Sequence, residues 1–402
     1  MSIEPRPPPT RLTARLRYAL GGRAGWGGFA VEILLVAALA WIAYEAVENA
    51  RANLQAQLKP SGFGFLTNTA GFDVNLSLIP FSGSDTYGRV FVVGLLNTLL
   101  VSVVGIFFAT VIGFIVALGR LSPNWLLSRL SGGYVELVRN LPLLFQMLFW
   151  YLAVLAALPV PRQSISLFGS FFLSNRGLVV PTPIANPGLE PFAYVVLVAI
   201  VAALGLRHYA RRQLFEHGRL IKIWPIVFGL VIGLPLLAVL LFGAPVSFEL
   251  PVLKGFNFSG GSRLIPEFVA LALSLSLYTG AFIAEIVRAG IQSVHKGQME
   301  AGASLGLSRG STLRLIVVPQ AMRVILPPLT SQYLNLTKNS SLAVAIGYPD
   351  LVSVFAGTTL NQTGQSIEVL AITMGVYLLI SLVTSAIMNF YGWRLGRSLG
   401  NT

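Results

Sequence analysis

Charge is scarce in this chain, so ionisable side chains inside apolar runs are where chemistry is to be sought first. Glu136 and Arg139, and again Glu285 and Arg288, stand three residues apart within such runs, a spacing at which helical side chains meet. Glu267 follows Pro266 at the head of one apolar run, and Lys338 lies between Asn335 and Asn339 within another. An ion among apolar groups is costly. These side chains therefore pair with one another or reach the membrane surface along their stems. Otherwise they line a polar path, with Tyr278 and Asn335, and meet a solute's ammonium, carboxylate or polar group. Both readings stay open for Glu267 and Lys338; pairing is the simpler one for Arg139 and Arg288, near the ends of their runs.

A different kind of chemistry belongs to the stretch EAGASLGLSRGSTLRLIVVP, Glu300 to Pro319, which is polar and glycine-bearing between two apolar runs. Met299 to Leu305 can form a short helix that Gly306 ends by taking a left-handed conformation. Ser308 can cap the next helix, with Arg309 in its first turn. Ala301, Gly302 and Ala303 carry so little bulk that the short helix can lie deep in a partner's groove. Glu300, Ala303, Ser304 and Leu307 share one face. This is docking chemistry; the plain alternative is an amphipathic connector.

Catalytic chemistry finds no support. No G-x-x-x-x-G-K-[ST] loop is present to bind a nucleotide, and with no cysteine there is no thiol chemistry. His208, His217 and His295 lie in basic stretches without a carboxylate cluster, an unpromising metal-ligand set. No cofactor and no catalytic residue is expected in this chain.

The elements that must position these residues are membrane helices. Hydrophobic residues make up 54% of the 402-residue chain and charged ones 11%, with a mean hydropathy of +0.74. A soluble chain of this length needs more surface charge, so the composition predicts an all-α polytopic membrane protein. Apolar runs of about 20 residues, enough to cross a bilayer, fall near 29–48, 90–118, 135–158, 191–207, 223–243, 265–287, 320–345 and 367–391. The seventh is interrupted by Pro327, Pro328, Asn335 and Lys338.

Of the 28 lysines and arginines, twenty fall at one set of alternate loops and ends, seven at the other, and Lys338 lies within a run. The excess of basic residues marks the cytoplasmic side. Both termini and Glu300 are thus expected in the cytoplasm, the basic N-terminal segment as an uncleaved tail. The net charge of +13 sits beside apolar runs instead of forming a soluble patch, which argues for lipid and against nucleic acid. The segments 51–88, 159–190 and 244–263 are expected outside, as connectors with aromatic anchors or as a docking surface for an external protein.

The order of Glu300-Ala301, Gly306, Ile316 and Pro319 resembles the EAA loop of importer-type ABC permeases, E-A-x-x-x-x-G, nine residues, then I-x-x-P. Residues 278–308 and 318–343 are similar to the polar amino-acid subfamily of these permeases, as are YVELVRNLPLLFQ (134–146) and NTLLVS (97–102). With SGFGFL (61–66), AGFDV (70–74) and NRGL (175–178), the likeness runs along nearly the whole chain. It points to general L-amino-acid permeases of the AapQ/BztB type. Gly302 departs from the second alanine of the loop.

The resemblance implies a type I ABC importer permease core of five helices, with an extra N-terminal helix and an inserted pair of spans at 191–243. The chain then divides into a tail (1–28), an extra span and outer segment (29–89), the first part of the core (90–158), outer segments with the inserted pair (159–263), and the second part of the core (264–402) carrying the loop at 296–319. It implies ATPase coupling by Glu300, Ala301, Gly302, Ala303, Gly306 and Arg309, in a bacterial cytoplasmic membrane. The implied partners are a paralogous permease (or a second copy), an external amino-acid-binding protein, and two ATPase subunits that hold ATP and magnesium. An ion-driven transporter would explain the buried charges but not the loop spacing, and would show repeated halves. A membrane scaffold would need neither.

Overall fold

The computed structural model describes residues 26–56 and 62–399 of the chain; the calls on the N-terminal tail lie largely outside them. Helices dominate. α1 spans Trp26–Ala56, α2 Tyr87–Arg120, α3 Trp125–Asn140 and α4 Leu143–Leu155. The inserted hairpin follows as α5, Leu189–His217, and α6, Trp224–Phe242. Then come α7, Pro266–Gln292, the short α8, Lys296–Ser304, and α9, Arg309–Ile346. A π-helical Leu351–Thr359 running into an α turn at Leu360–Thr363 forms α10, and α11 is Ser366–Leu399. Seven of these are long and apolar enough to cross a membrane, and α3 with α4 makes an eighth crossing if the bent pair is one span.

Two runs differ from their sequence reading. The run at 135–158 is broken at Leu141-Pro142, where α3 and α4 meet at 105°, because proline disfavours a helical residue before it. The run at 320–345 is less interrupted than its prolines suggest: the helix passes unbroken through Pro327 and Pro328 from Val318 to Asn339. Burial of its other face, through Ile325, Leu329 and Leu336, supplies what the prolines remove.

The core is a close meeting of α2, α7 and α9. α2 and α7 lie side by side in the same direction, with Gly105 on Leu275, and Gly113 so near Ile283 that a Cβ there would stand 2.6 Å from the isoleucine Cβ. α9 runs the opposite way, placing Ile325 on Gly290 of α7 and Leu336 on Gly105 of α2. Small residues where helices touch let backbones approach, the main source of attraction in a bilayer that offers no hydrophobic drive. α1, by contrast, has none of its apolar window buried within the chain.

The segments expected as loops at 159–190 and 244–263 contain eight short strands: β1 Ile165–Leu167, β2 Phe171–Ser174, β3 Gly177–Val180, β4 Thr182–Ala185, β5 Val246–Glu249, β6 Val252–Lys254, β7 Asn257–Ser259 and β8 Ser262–Leu264. β1-β2-β3-β8 form an antiparallel sheet, while β4 pairs with β5 and β6 with β7. β8 leads directly into α7, and the β4–β5 pair joins the two feet of the α5–α6 hairpin. Gly177 makes the sheet's entry into the core possible, since any side chain there would run into the Leu264 carbonyl.

Candidate functional site

The docking segment folds as a helix, a left-handed turn and a capped restart. His295 caps α8 by accepting from Gly297 N at 3.1 Å. Gly306, with φ of +74°, ends it. Leu307 N then donates back to Gly302 O at 3.0 Å, the six-to-one closure of a glycine-terminated helix. Ser308 accepts from Ser311 N at 3.3 Å and starts α9.

Glu300, Ala301, Ala303, Gly306 and Arg309 are exposed. Gly302 is turned the other way: it is buried, and a Cβ added there would stand 2.6 Å from Thr312 Cγ2. The small-residue run therefore serves two surfaces, and at Gly302 the fit is to α9 and not to an outside groove. Alanine would not be an innocuous exchange for that glycine. A second tie comes from Gln320 Nε2, which donates to Gln298 Oε1 at 3.3 Å. α8 is thus bolted to the base of α9, and a push on one is transmitted to the other.

The intramembrane candidates separate into four groups. Glu285 accepts from both Arg120, at the end of α2, and Arg288, so the expected Glu285–Arg288 pair is part of a triad that ties α2 to α7. Arg139 makes no ion pair with Glu136. Its guanidinium instead lies 5.0 Å over the Phe282 ring, and Tyr278 packs 5.0 Å from the same ring; Glu136 has no ion-pair partner among the described residues. At the sheet end of α7, Glu267 accepts from Tyr151 OH at 2.9 Å. Arg120, Phe282 and Tyr151 had no sequence signal of their own, for they answer partners that lie far away in the chain.

Asn335 and Lys338 fall on an exposed face of α9. Val324, Pro328, Ser331, Asn335 and Lys338 are all exposed, spaced four, three, four and three residues apart, a single helical stripe. Its opposite face is buried in the core. Neither Asn335 nor Lys338 has a side-chain hydrogen bond or ion pair among the described residues, and polar groups left so at membrane depth are expensive.

The connector after α9 is welded to α2. Tyr348 OH donates to Asn97 O at 2.9 Å, Asn97 Nδ2 donates to Pro349 O at 2.9 Å, and Leu351 N donates to Thr98 Oγ1 at 3.0 Å. The buried Asp350 caps α10 by accepting from Ser353 N at 2.8 Å. Sequence could have flagged this cap, because Asp350 and Ser353 open a short apolar run after a proline.

With this geometry in view, comparison with known proteins decides the family. Residues 109–396 match the binding-protein-dependent transport system inner membrane component family. The chain belongs to that family. The permease protein YhdX of Escherichia coli (strain K12) is 56% identical to this family member, across 90% of this chain and 93% of that protein. The general L-amino acid transport system permease protein AapQ of Rhizobium johnstonii is 50% identical, across 90% of each. The glutamate/glutamine/aspartate/asparagine transport system permease protein BztB of Rhodobacter capsulatus is 40% identical, across 90% of this chain and 91% of that protein. A solved amino acid ABC transporter with histidines aligns with TM-score 0.45 and 21% identity over 77% of this chain and 95% of that one, too loose a likeness to carry an argument. Membership makes the chain a membrane-embedded transport subunit, and implies a binding protein and an ATPase as partners.

Proposed function

We propose that this chain is the permease subunit of an ABC importer for polar L-amino acids. The observation that carries the reading is the α8 segment: a small-residue helix bearing Glu300, exposed on one face and locked to the base of a membrane-spanning helix on the other. Glu300, Ala301, Ala303, Gly306 and Arg309 are the surface an ATPase grips, and Gly302 makes the grip effective by seating α8 on Thr312. When two ATP-loaded ATPase subunits close, α8 moves and α9 tilts with it. The polar stripe of α9 then alternates between the two sides. ATP and magnesium belong to the ATPase, and the amino-acid class is supported by the names of the similar permeases.

Asn335 and Lys338 on α9 are the foremost path residues, since they are exposed and unpaired among the described residues. Arg139 and Tyr278 form a second set at Phe282, with the exposed Glu136 three residues before Arg139 on α3. Glu267 and Glu285 are less available, being held by Tyr151 and by the two arginines. The stripe needs a second permease, a paralogue or another copy, to close the path. Basic residues gathered at the α8 end of the bundle favour the cytoplasm for that end and for both termini, in a bacterial inner membrane.

Glu300→Lys tests the docking role. The variant is expected in the membrane at normal level, while co-purification of the ATPase falls at least about tenfold, the loss that 1.4 kcal/mol produces. Full ATPase retention with full transport would remove the role from Glu300.

A further inference from the structure

The turn of the α5–α6 hairpin holds chemistry that the transport reading does not use. α5 ends at Gly218, with φ of +67°, and a short basic connector leads to Trp224. Beneath it the two helices part around a cavity of about 440 Å³. Every lining residue is apolar, Leu204, Leu214, Leu220 and Trp224 among them, except Arg207 and Arg211. These two arginines stand four residues apart, hence on one face of α5, where like charges repel. Neither has an ion pair among the described residues. The only carboxylate between positions 207 and 222 is Glu216, and Arg212 takes it at 3.3 Å.

The surroundings say which anion fits. Phe215 and Leu220 are each 85% exposed and Trp224 80%, in a turn that also carries Arg219 and Lys222. Large apolar side chains mixed with cations belong at the level of lipid headgroups. α5, with 29 residues, is about 44 Å long. It can therefore carry this turn across the bilayer from its foot at the β4–β5 pair. A small free anion would satisfy the arginines but leave the apolar trough empty.

We propose that this cavity binds one anionic phospholipid. The phosphate lies between Arg207 and Arg211, where guanidinium forks make charge-assisted hydrogen bonds, and an acyl chain fills the trough lined by Leu204, Leu214 and Trp224. Basic pockets between helices at the cytoplasmic face are suited to such headgroups. The proposal rests on the hairpin crossing the membrane, and not on what is transported.

Native mass spectrometry of the intact transporter complex, taken from nanodiscs of equimolar phosphatidylglycerol and phosphatidylethanolamine, tests it without ATP or amino acid. The wild type is expected to retain one phosphatidylglycerol per copy of this chain. R207Q/R211Q should lower that retention about tenfold or more, and R207K/R211K should restore most of it. Ala203→Trp fills the trough without touching charge and should also expel the lipid, which keeps the test decisive should the glutamine variant fail to assemble. Equal retention of the two lipids, unchanged phosphatidylglycerol in R207Q/R211Q or in Ala203→Trp, or displacement of the lipid by millimolar inorganic phosphate would overturn the proposal. Loss of amino-acid transport with lipid retention intact would count against the transport reading alone.

Discussion

The core and the inserted hairpin are both built from apolar helices, but these are used in opposite ways. In α7, 56% of the most apolar window is buried within the chain, whereas α5 and α6 bury 11% and 6%. The core helices meet through glycines with no spare room. In the hairpin, Gly205 has nothing within 4 Å of an added Cβ. The contrast teaches that hydropathy locates helices but does not say what they touch. The core buries much of its surface on itself, while the hairpin leaves most of its surface turned outward.

Substitution by a larger residue sharpens that contrast. Gly113→Leu forces a side chain into Ile283 and is expected to destabilise the core by about 3 kcal/mol, at the upper end of overpacking. The yield of folded protein by size exclusion and thermal unfolding in detergent would fall sharply; wild-type behaviour would show that α2 and α7 are not tightly joined. Gly302→Val, against Thr312, should lower stability by about 1–2 kcal/mol and reduce transport more than membrane level. A variant with normal uptake would break the link drawn between α8 and α9. Lys338→Ala lies on the exposed stripe and should leave stability unchanged while shifting the concentration for half-maximal uptake by about tenfold. Lower expression with unchanged apparent affinity would make Lys338 structural. Gly205→Leu, on the open hairpin, should change the unfolding temperature least, within about 0.5 kcal/mol.

What the sequence revealed and what it hid follow the same division. Local patterns were legible: the left-handed stop at Gly306, the cap at Ser308, the polar stretch between apolar runs, and the approximate place of each span. The i, i+3 spacing of Glu285 and Arg288 indicated half of the triad. Arg120 could not be anticipated, because it arrives from another helix far away in the chain. Glu136 and Arg139 share the same spacing and do not pair, since Phe282 offers the guanidinium a ring face that sequence distance conceals. Gly302 was misjudged for a similar reason: smallness is visible in sequence, but whether it serves a partner or Thr312 depends on how α8 folds back. The strands at 165–264 were hidden in short segments that read as loops, being too brief to show a sustained period.

The central claim is that this chain couples ATP hydrolysis elsewhere to amino-acid movement through its own helices. Proteoliposomes holding the assembled transporter, with binding protein on one face and ATP supplied to the other, measure this most directly. A radiolabelled polar L-amino acid that the binding protein holds should enter only when both are present, and Glu300→Lys should abolish the uptake. Uptake by this chain alone on a sodium or proton gradient, or undiminished uptake by the Glu300→Lys transporter, would contradict the account.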